Sequence, residues 1–282
     1  GHMETKNSRK IWAIVIAIVV LVIAIVAAFF IGKGMDSQDG DRENSQEVAE
    51  SDEGSNKDEP ANADASDDSS KWAEDSSDVF GRSLRTPKNG SGQPMGKIKK
   101  VDNFQCESEE EPSKLTIERV HSAETLWSEN QGPGHVTDEG VPSQYAHTPE
   151  GAVLSAWNSN ALVQMGGHDV ALRTLKQQFT GGHAKEAVET LESNASAGSS
   201  ASVSAAAPEA FRITSCSQER VIGDVAVPMP TDAKGNPDNK TWMVIRVSAK
   251  WEDGDWKAEL DEVKQSVEDE IGNLDGWEQW KF

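Results

Sequence analysis

Two cysteines are the residues of this sequence whose chemistry is simplest to interpret. Cys106 and Cys216 are its only cysteines, too few for a disulfide-rich mini-domain or a four-cysteine zinc site. Outside the cytoplasm, where disulfides persist, one bridge between them would tie an N-terminal arm to a strand of the folded region. The alternative is two unpaired small side chains, and the separation of the two Cα atoms decides between these states. Cys106 and Cys216 are therefore a candidate disulfide.

Residues that commonly serve catalysis or metal binding are present, but their spacing does not match a known chemistry. The histidines are scattered, and neither a His-Glu-x-x-His zinc motif nor a Gly-x-Ser-x-Gly nucleophile motif occurs. Asp253 and Asp255 flank Gly254, as residues of a turn do. Residues 232–238 resemble a calcium loop only in part, since the spacing and the final Glu are wrong. We predict no catalytic residue, no cofactor and no metal, and a protein that is not an enzyme.

Nine tryptophans beside a single tyrosine are unusual, and eight of them divide into two groups. Four of them lie on predicted helices or strands, where packing in the core is the default; these are Trp157, Trp242, Trp251 and Trp256. Trp12 lies in the apolar N-terminal run. Four more are less constrained by the pattern around them and are candidate interface residues, because aromatic side chains make strong binding anchors. These four are Trp72, Trp127, Trp277 and Trp280.

Composition excludes several classes of protein. Of the 282 residues, 36% are hydrophobic, and 27 Lys+Arg face 48 Asp+Glu, a formal net charge of −21. Nucleic-acid binders need clustered Lys and Arg for phosphate contacts, so direct nucleic-acid binding is not expected. The same acidic balance argues against docking on an anionic membrane surface.

The N-terminal segment has the pattern of a membrane anchor. Residues 1–3 are typical of a scar from tag cleavage. Residues 11–31 are apolar and uncharged, long enough to cross ~30 Å of hydrocarbon as a helix. Lys6, Arg9 and Lys10 precede them, so the positive-inside rule places residues 1–10 in the cytoplasm and the rest outside. We predict a single-pass transmembrane helix at 11–32; the alternative, a cleaved signal peptide, has a shorter apolar run.

A long acidic segment follows. Residues 36–80 contain 16 Asp+Glu against three basic residues, with Ser, Asn, Gly and Ala between them. Such a segment cannot bury enough apolar surface to offset the entropy lost on ordering. We predict a disordered acidic linker over 33–96 and an extracytoplasmic folded domain over 97–282.

Within that domain, helices come first and strands second. Thr148, Pro149 and Glu150 form a strong helix start, and Gly166-Gly167 ends that helix. Two shorter helices are indicated before residue 193. Residues 211–260 then alternate with a period of two, and Asp253-Gly254 predicts a hairpin turn. This order predicts an α+β fold with helices packed on one face of a curved antiparallel sheet.

The segment Gly140–Val153 resembles a signature that begins with Gly, contains Tyr-Ala-His-Thr-Pro-Glu-Gly-Ala, and occurs in membrane-anchored proteins of actinobacterial integrative and conjugative elements. The Trp127 segment and the hairpin Trp251–Trp256 fit the same family, and the resemblance covers roughly residues 127–260. Gln144 stands where the family pattern has Gly. The overall layout is similar to the bitopic scaffold component of type IV secretion inner-membrane complexes, whose outer domain is NTF2-like.

The resemblance implies a structural component of a Gram-positive conjugative type IV secretion apparatus, acting through contacts with other apparatus proteins and possible as a homo-oligomer. It implies a location in the cell membrane. An alternative is an extracytoplasmic module that binds a lipid or a cell-wall fragment, which an empty apolar cavity would favour. An extracytoplasmic enzyme is a third hypothesis and would need convergent polar groups with perturbed pKa values.

Overall fold

The computed structural model describes residues 70–107, 112, 114–193, 205–260 and 270–282. Three helices and twelve strands form in these ranges. The helices are α1 (Pro149–Met165), α2 (His168–Gln178) and α3 (Gly182–Ser193). The strands are β1 (Ser76–Ser77), β2 (Ser83–Arg85), β3 (Thr116–Val120), β4 (Ala123–Trp127), β5 (His135–Val136), β6 (Pro142–Ser143), β7 (Phe179–Thr180), β8 (Ala210–Cys216), β9 (Arg220–Met229), β10 (Thr241–Glu252), β11 (Asp255–Glu259) and β12 (Glu278–Gln279).

Helix α1 is the centre of the molecule. Thr148 caps it by accepting a hydrogen bond from the Gly151 N–H, and Pro149 occupies its first turn, as predicted. Fourteen of its 17 residues are buried. The helix contacts β4 on one side and β9, β10 and β11 on the other. A helix that is buried on nearly all sides belongs in an interior, and this one lies between two sheets.

The larger sheet has six strands in the order β12-β8-β9-β10-β11-β7. Strands β8 to β11 form the antiparallel meander expected from the period-two pattern, and Asp253-Gly254 makes the predicted hairpin turn between β10 and β11. Both turn residues have positive φ angles, 53° and 75°, as a two-residue hairpin requires. Strand β7 is parallel to β11, so the sheet is mixed.

The second sheet has four strands in the order β1-β2-β3-β4, and β2 pairs parallel with β3. Its first two strands fall inside the segment that the sequence predicts to be a disordered linker. The fold already includes residues 70–96, so the boundary predicted at residue 97 is too late. A third, two-stranded sheet pairs β5 with β6.

These observations correct the predicted fold class, which is a transmembrane helix and a disordered linker followed by an NTF2-like domain. The described part of the chain is mostly sheet. Each of the two larger sheets contains a parallel strand pair, so neither is the purely antiparallel sheet that was expected. The longest helix lies between these two sheets. None of the helices in the described ranges is long and apolar enough to cross a membrane. Residues 11–32 and the linker up to residue 69 lie outside the described residues.

Candidate functional site

The two motifs that carry the family resemblance meet in space around one carboxylate. Asp255, on β11, accepts hydrogen bonds from the backbone N–H groups of Tyr145 and Trp256 at Oδ1, at 2.8 and 2.9 Å. Its Oδ2 accepts from the Gln144 N–H at 2.8 Å and from the Gln178 side chain at 3.4 Å. Burial raises the pKa of Asp255, and the N–H donors act in the opposite direction. Asp255 thus joins the hairpin to the signature segment.

Gln144 adopts the conformation that its place in the signature requires. Its φ angle is 65°, the left-handed region that favours glycine. The side chain is exposed and the N–H points to Asp255. The tight turn therefore forms with Gln at this position, where the resemblance led us to expect Gly.

The start of α1 is packed against the same segment without spare room. A Cβ atom on Gly151 would lie 2.0 Å from the carbonyl oxygen of Ala146. The Nε1 of Trp256 donates to that same oxygen at 2.8 Å, and the Ser155 hydroxyl donates to the Trp256 carbonyl at 2.7 Å. Thr148 donates to the Gln131 side chain. The signature therefore fixes the helix, the hairpin and the preceding loop to each other.

Tyr145 and Asn158 extend this network into the core. The side-chain amide of Asn158 accepts from the N–H of Leu126 and donates to its C=O, at 2.7 and 2.9 Å, as a neighbouring strand would. It also donates to the Tyr145 hydroxyl. Burial raises the pKa of Tyr145 far above its usual range. These polar atoms are hydrogen-bonded to one another, so their role is to connect structural elements.

Where the signature reaches the surface it forms an aromatic cluster, defined by Phe104, His147, Trp251 and Trp256. The His147 ring stacks on Trp251, with centroids 3.8 Å apart and an interplanar angle of 7°. Its Nε2 lies 2.5 Å from the Gln218 carbonyl oxygen. Phe104 packs against His147 with centroids 5.0 Å apart. Three of the four rings are half-buried, so the cluster has an accessible face.

The predicted disulfide is confirmed and lies beside this cluster. Cys106 and Cys216 are bridged, with a Cα–Cα distance of 5.8 Å and a sequence separation of 110. The bridge attaches the arm that carries Phe104 to the end of β8. The arm is thereby held over His147.

The four tryptophans predicted as interface residues separate into two pairs. Trp127 is completely buried and Trp280 is 8% exposed, stacked on Phe211; both belong to the core. Trp72 and Trp277 are half-buried at the surface. An arginine covers each of them: the Arg85 guanidinium carbon lies 3.7 Å from the Trp72 ring centroid, and that of Arg212 lies 4.4 Å from the Trp277 centroid.

The Trp277 surface includes a second shared carboxylate. Asp224, on β9, accepts from the Nε atoms of Arg212 and Arg246, each at 3.0 Å. The Asp224 side chain is buried, whereas both arginines are about one-third exposed. Asp224 is thus shared by two arginines, one of which also covers Trp277.

Two further carboxylates are buried, Glu118 on β3 and Glu124 on β4. Neither was among the candidate residues identified from the sequence. Burial raises the pKa of Glu118 to about 8 and also raises that of Glu124. Glu124 accepts from the Ala207 N–H at 2.8 Å. The available signal was the period-two pattern of β3, which places Glu118 on the same face as the buried Val120.

A cavity lies between α1 and β10, lined by Trp157, Met165, Ala205, Ile245 and Val247 among others. Its volume is about 20 Å³, enough for one water molecule. Among the described residues, no group of three or more His, Cys, Asp or Glu side chains is arranged to hold a metal ion.

The fold and the site together define a disulfide-linked α+β domain whose buried polar groups hold its own segments together and whose aromatic side chains reach the surface at separate points. The chain belongs to the family described as Domain of unknown function (DUF8175), whose model matches residues 84–279. A comparison with curated proteins found no match. A comparison with solved structures also found none.

Proposed function

We propose that this domain is a non-catalytic binding module that acts through protein–protein contacts, as a structural component of a conjugative type IV secretion apparatus. The observation that carries the proposal is the pair of surface tryptophans, Trp72 and Trp277, each held under an arginine. Tryptophan and arginine are the residues most enriched at the energetic centres of protein interfaces. A stacked guanidinium keeps the ring in one orientation, so less side-chain entropy is lost on binding.

The family resemblance of residues 127–260 supplies the DNA-transfer context of this proposal. The Cys106–Cys216 bridge supports a location outside the cytoplasm, because structural disulfides persist in oxidising compartments. We place the domain on the outer side of the cell membrane.

The cavity favours this proposal over a lipid-binding or cell-wall-binding module. Sites for small molecules have volumes of roughly 300–1,000 Å³. The space of about 20 Å³ between α1 and β10 is too small for a lipid chain or a sugar ring.

The test is a mating assay in the native host with the gene deleted from its mobile element. Complementation uses the full chain and two double variants, Trp72→Ala with Trp277→Ala, and Trp72→Phe with Trp277→Phe. We expect transfer to be lost on deletion, restored by the full chain, and lowered at least about tenfold by the alanine variant. The phenylalanine variant keeps an aromatic ring and is the matched control.

Immunoblotting of the complementing proteins separates loss of contact from loss of protein. Unchanged transfer after deletion would contradict a role in the apparatus. Transfer that depends on the gene but not on the two rings would contradict the assignment of Trp72 and Trp277 as anchors.

A further inference from the structure

The carboxyl group of Glu118 is buried beneath a surface loop and is incompletely paired. Its side chain is fully buried, under the segment 89–93. Oε1 accepts a hydrogen bond from the Gln93 N–H at 3.0 Å. Oε2 is buried with no hydrogen-bond partner among the described residues. A buried polar oxygen without a partner costs free energy. The ionised form of Glu118 is therefore unfavourable unless a cation pairs with it.

Arg85 lies next to Glu118 in the sheet, but its guanidinium contacts an aromatic ring. Arg85 on β2 is the register partner of Glu118 on the parallel strand β3, so the two side chains leave the sheet on the same face. The Arg85 guanidinium lies over Trp72 instead, 3.7 Å from the ring centroid. Arg85 therefore has two partners within its reach, a ring and a carboxyl group.

Among the described residues, Arg85 is the one charged group that influences the pKa of Glu118. The loop 89–93 carries no charged residue. On β4, Thr125 donates to the Glu118 backbone oxygen and accepts from Trp127 Nε1. Burial is the largest influence on the pKa of Glu118 and raises it, while the Gln93 N–H and the charge of Arg85 lower it. Arg85 is accordingly the charged group that responds to the proton on Glu118.

We infer that the Glu118 carboxyl and Arg85 form a proton-controlled latch: Arg85 stacks on Trp72 while Glu118 is protonated, and turns from Trp72 to Glu118 when Glu118 ionises. An ionised buried carboxylate attracts a guanidinium more strongly than an aromatic face does. The backbone pairing of the Trp72 segment is unaffected, because Ala73 and Lys71 bond to Thr86 and Lys88 through main-chain atoms. The ring of Trp72 alone loses its partner.

This inference does not rest on the proposed function, because it concerns the state of Arg85 whether or not Trp72 contacts another protein. The experiment uses the full chain. Tryptophan fluorescence is recorded from pH 6 to 9.5 (roughly the range around the shifted pKa) for the wild type and for Trp72→Phe. The difference between the two isolates the emission of Trp72 from that of the other tryptophans.

We expect the difference signal to change in a single step with a midpoint near pH 8, the value that burial gives to Glu118. In Glu118→Gln, which cannot ionise, the step should vanish. In Arg85→Gln, which retains the carboxyl but not the cation, it should also vanish. A flat signal in the wild type, or an unchanged step in either variant, would overturn the latch.

Circular dichroism shows whether Glu118→Gln folds. If it does not, Arg85→Gln decides alone, since Arg85 is only partly buried and its loss leaves the core intact. Asp253→Asn is the matched control: it removes a carboxylate at an exposed turn and should leave the step as in the wild type.

Discussion

Two buried carboxylates, Asp255 on the six-stranded sheet and Glu118 on the four-stranded sheet, are held in opposite ways. Both carboxylate oxygens of Asp255 accept hydrogen bonds, and three of these bonds come from backbone N–H groups. Glu118 has one donor, and its second oxygen has no partner among the described residues. Burial is the largest influence on the pKa of each and raises it.

The difference shows how the same kind of residue serves two purposes. Backbone N–H groups cannot leave without unfolding the turn that carries them, so the Asp255 network is a fixed joint between motifs 110 residues apart. Glu118 depends on a proton or on the movable side chain of Arg85. A buried carboxylate with full hydrogen bonding holds segments of the fold together, whereas one left partly unpaired allows a neighbouring cation to change its partner.

The largest expected effect is the pH dependence that Glu118 gives to stability. Its pKa is about 8 in the folded protein, whereas an unburied Glu has a pKa of 4.5. The folded state therefore binds the proton more tightly, and the stabilisation is complete below pH 4.5 and lost as the pH rises to about 8. The contribution is on the order of 5 kcal/mol. Urea denaturation at several pH values should show a smaller decline for Glu118→Gln than for the wild type.

Glu124 and Asp255 also have raised pKa values and add a decline of the same sign. The informative quantity is thus the difference between the wild type and Glu118→Gln across the pH range, not either curve alone. Parallel curves for the two proteins would show that Glu118 is ionised in the folded state throughout.

The second prediction makes the same chemical change at the fully bonded carboxylate. Asp255→Asn replaces one acceptor oxygen by an NH₂ group facing N–H donors, so at least one buried backbone N–H loses its partner. We expect the free energy of unfolding at neutral pH to fall by about 2–3 kcal/mol. Asp253→Asn, two residues away in the exposed turn, should change it by less than about 0.5 kcal/mol, because Asn tolerates positive φ.

If Asp253→Asn and Asp255→Asn lower the free energy of unfolding equally, the hairpin stabilises the domain through its turn and not through the hydrogen bonds of Asp255. A loss at Asp255 alone, together with exposure of Tyr145 to solvent in its absorbance spectrum, would support the joint.

Sequence alone was sufficient where the signal was local. The cap at Thr148, the turn at Asp253-Gly254 and the strands between them each depend on a few adjacent residues, and the structure confirms them. The pairing of Cys106 with Cys216 was predictable because the chain offers no other cysteine.

Features set by distant contacts were not predictable in this way. Strand β1 is Ser76-Ser77, inside an acidic, serine-rich stretch, and it gains its conformation by pairing with β2. The position of α1 between two sheets follows from that additional sheet. Likewise, nothing in the neighbouring residues of Trp127 or Trp72 shows that the first is in the core and the second at the surface.

The smallest expected effect concerns the turn that presents an N–H to Asp255. Gln144 has a φ angle of 65°, and a left-handed conformation costs a residue with a Cβ roughly 1–2 kcal/mol. Gln144→Gly removes that cost and keeps the N–H, but it adds about 0.5–1 kcal/mol of backbone entropy to the unfolded chain. We expect a net gain of about 0.5 kcal/mol in denaturation experiments. Gln144→Ala, which keeps the Cβ and removes only the exposed part of the side chain, should be neutral. If Gly instead destabilises the domain, the gain from relieving the left-handed residue must be smaller than the entropy that glycine adds to the unfolded chain.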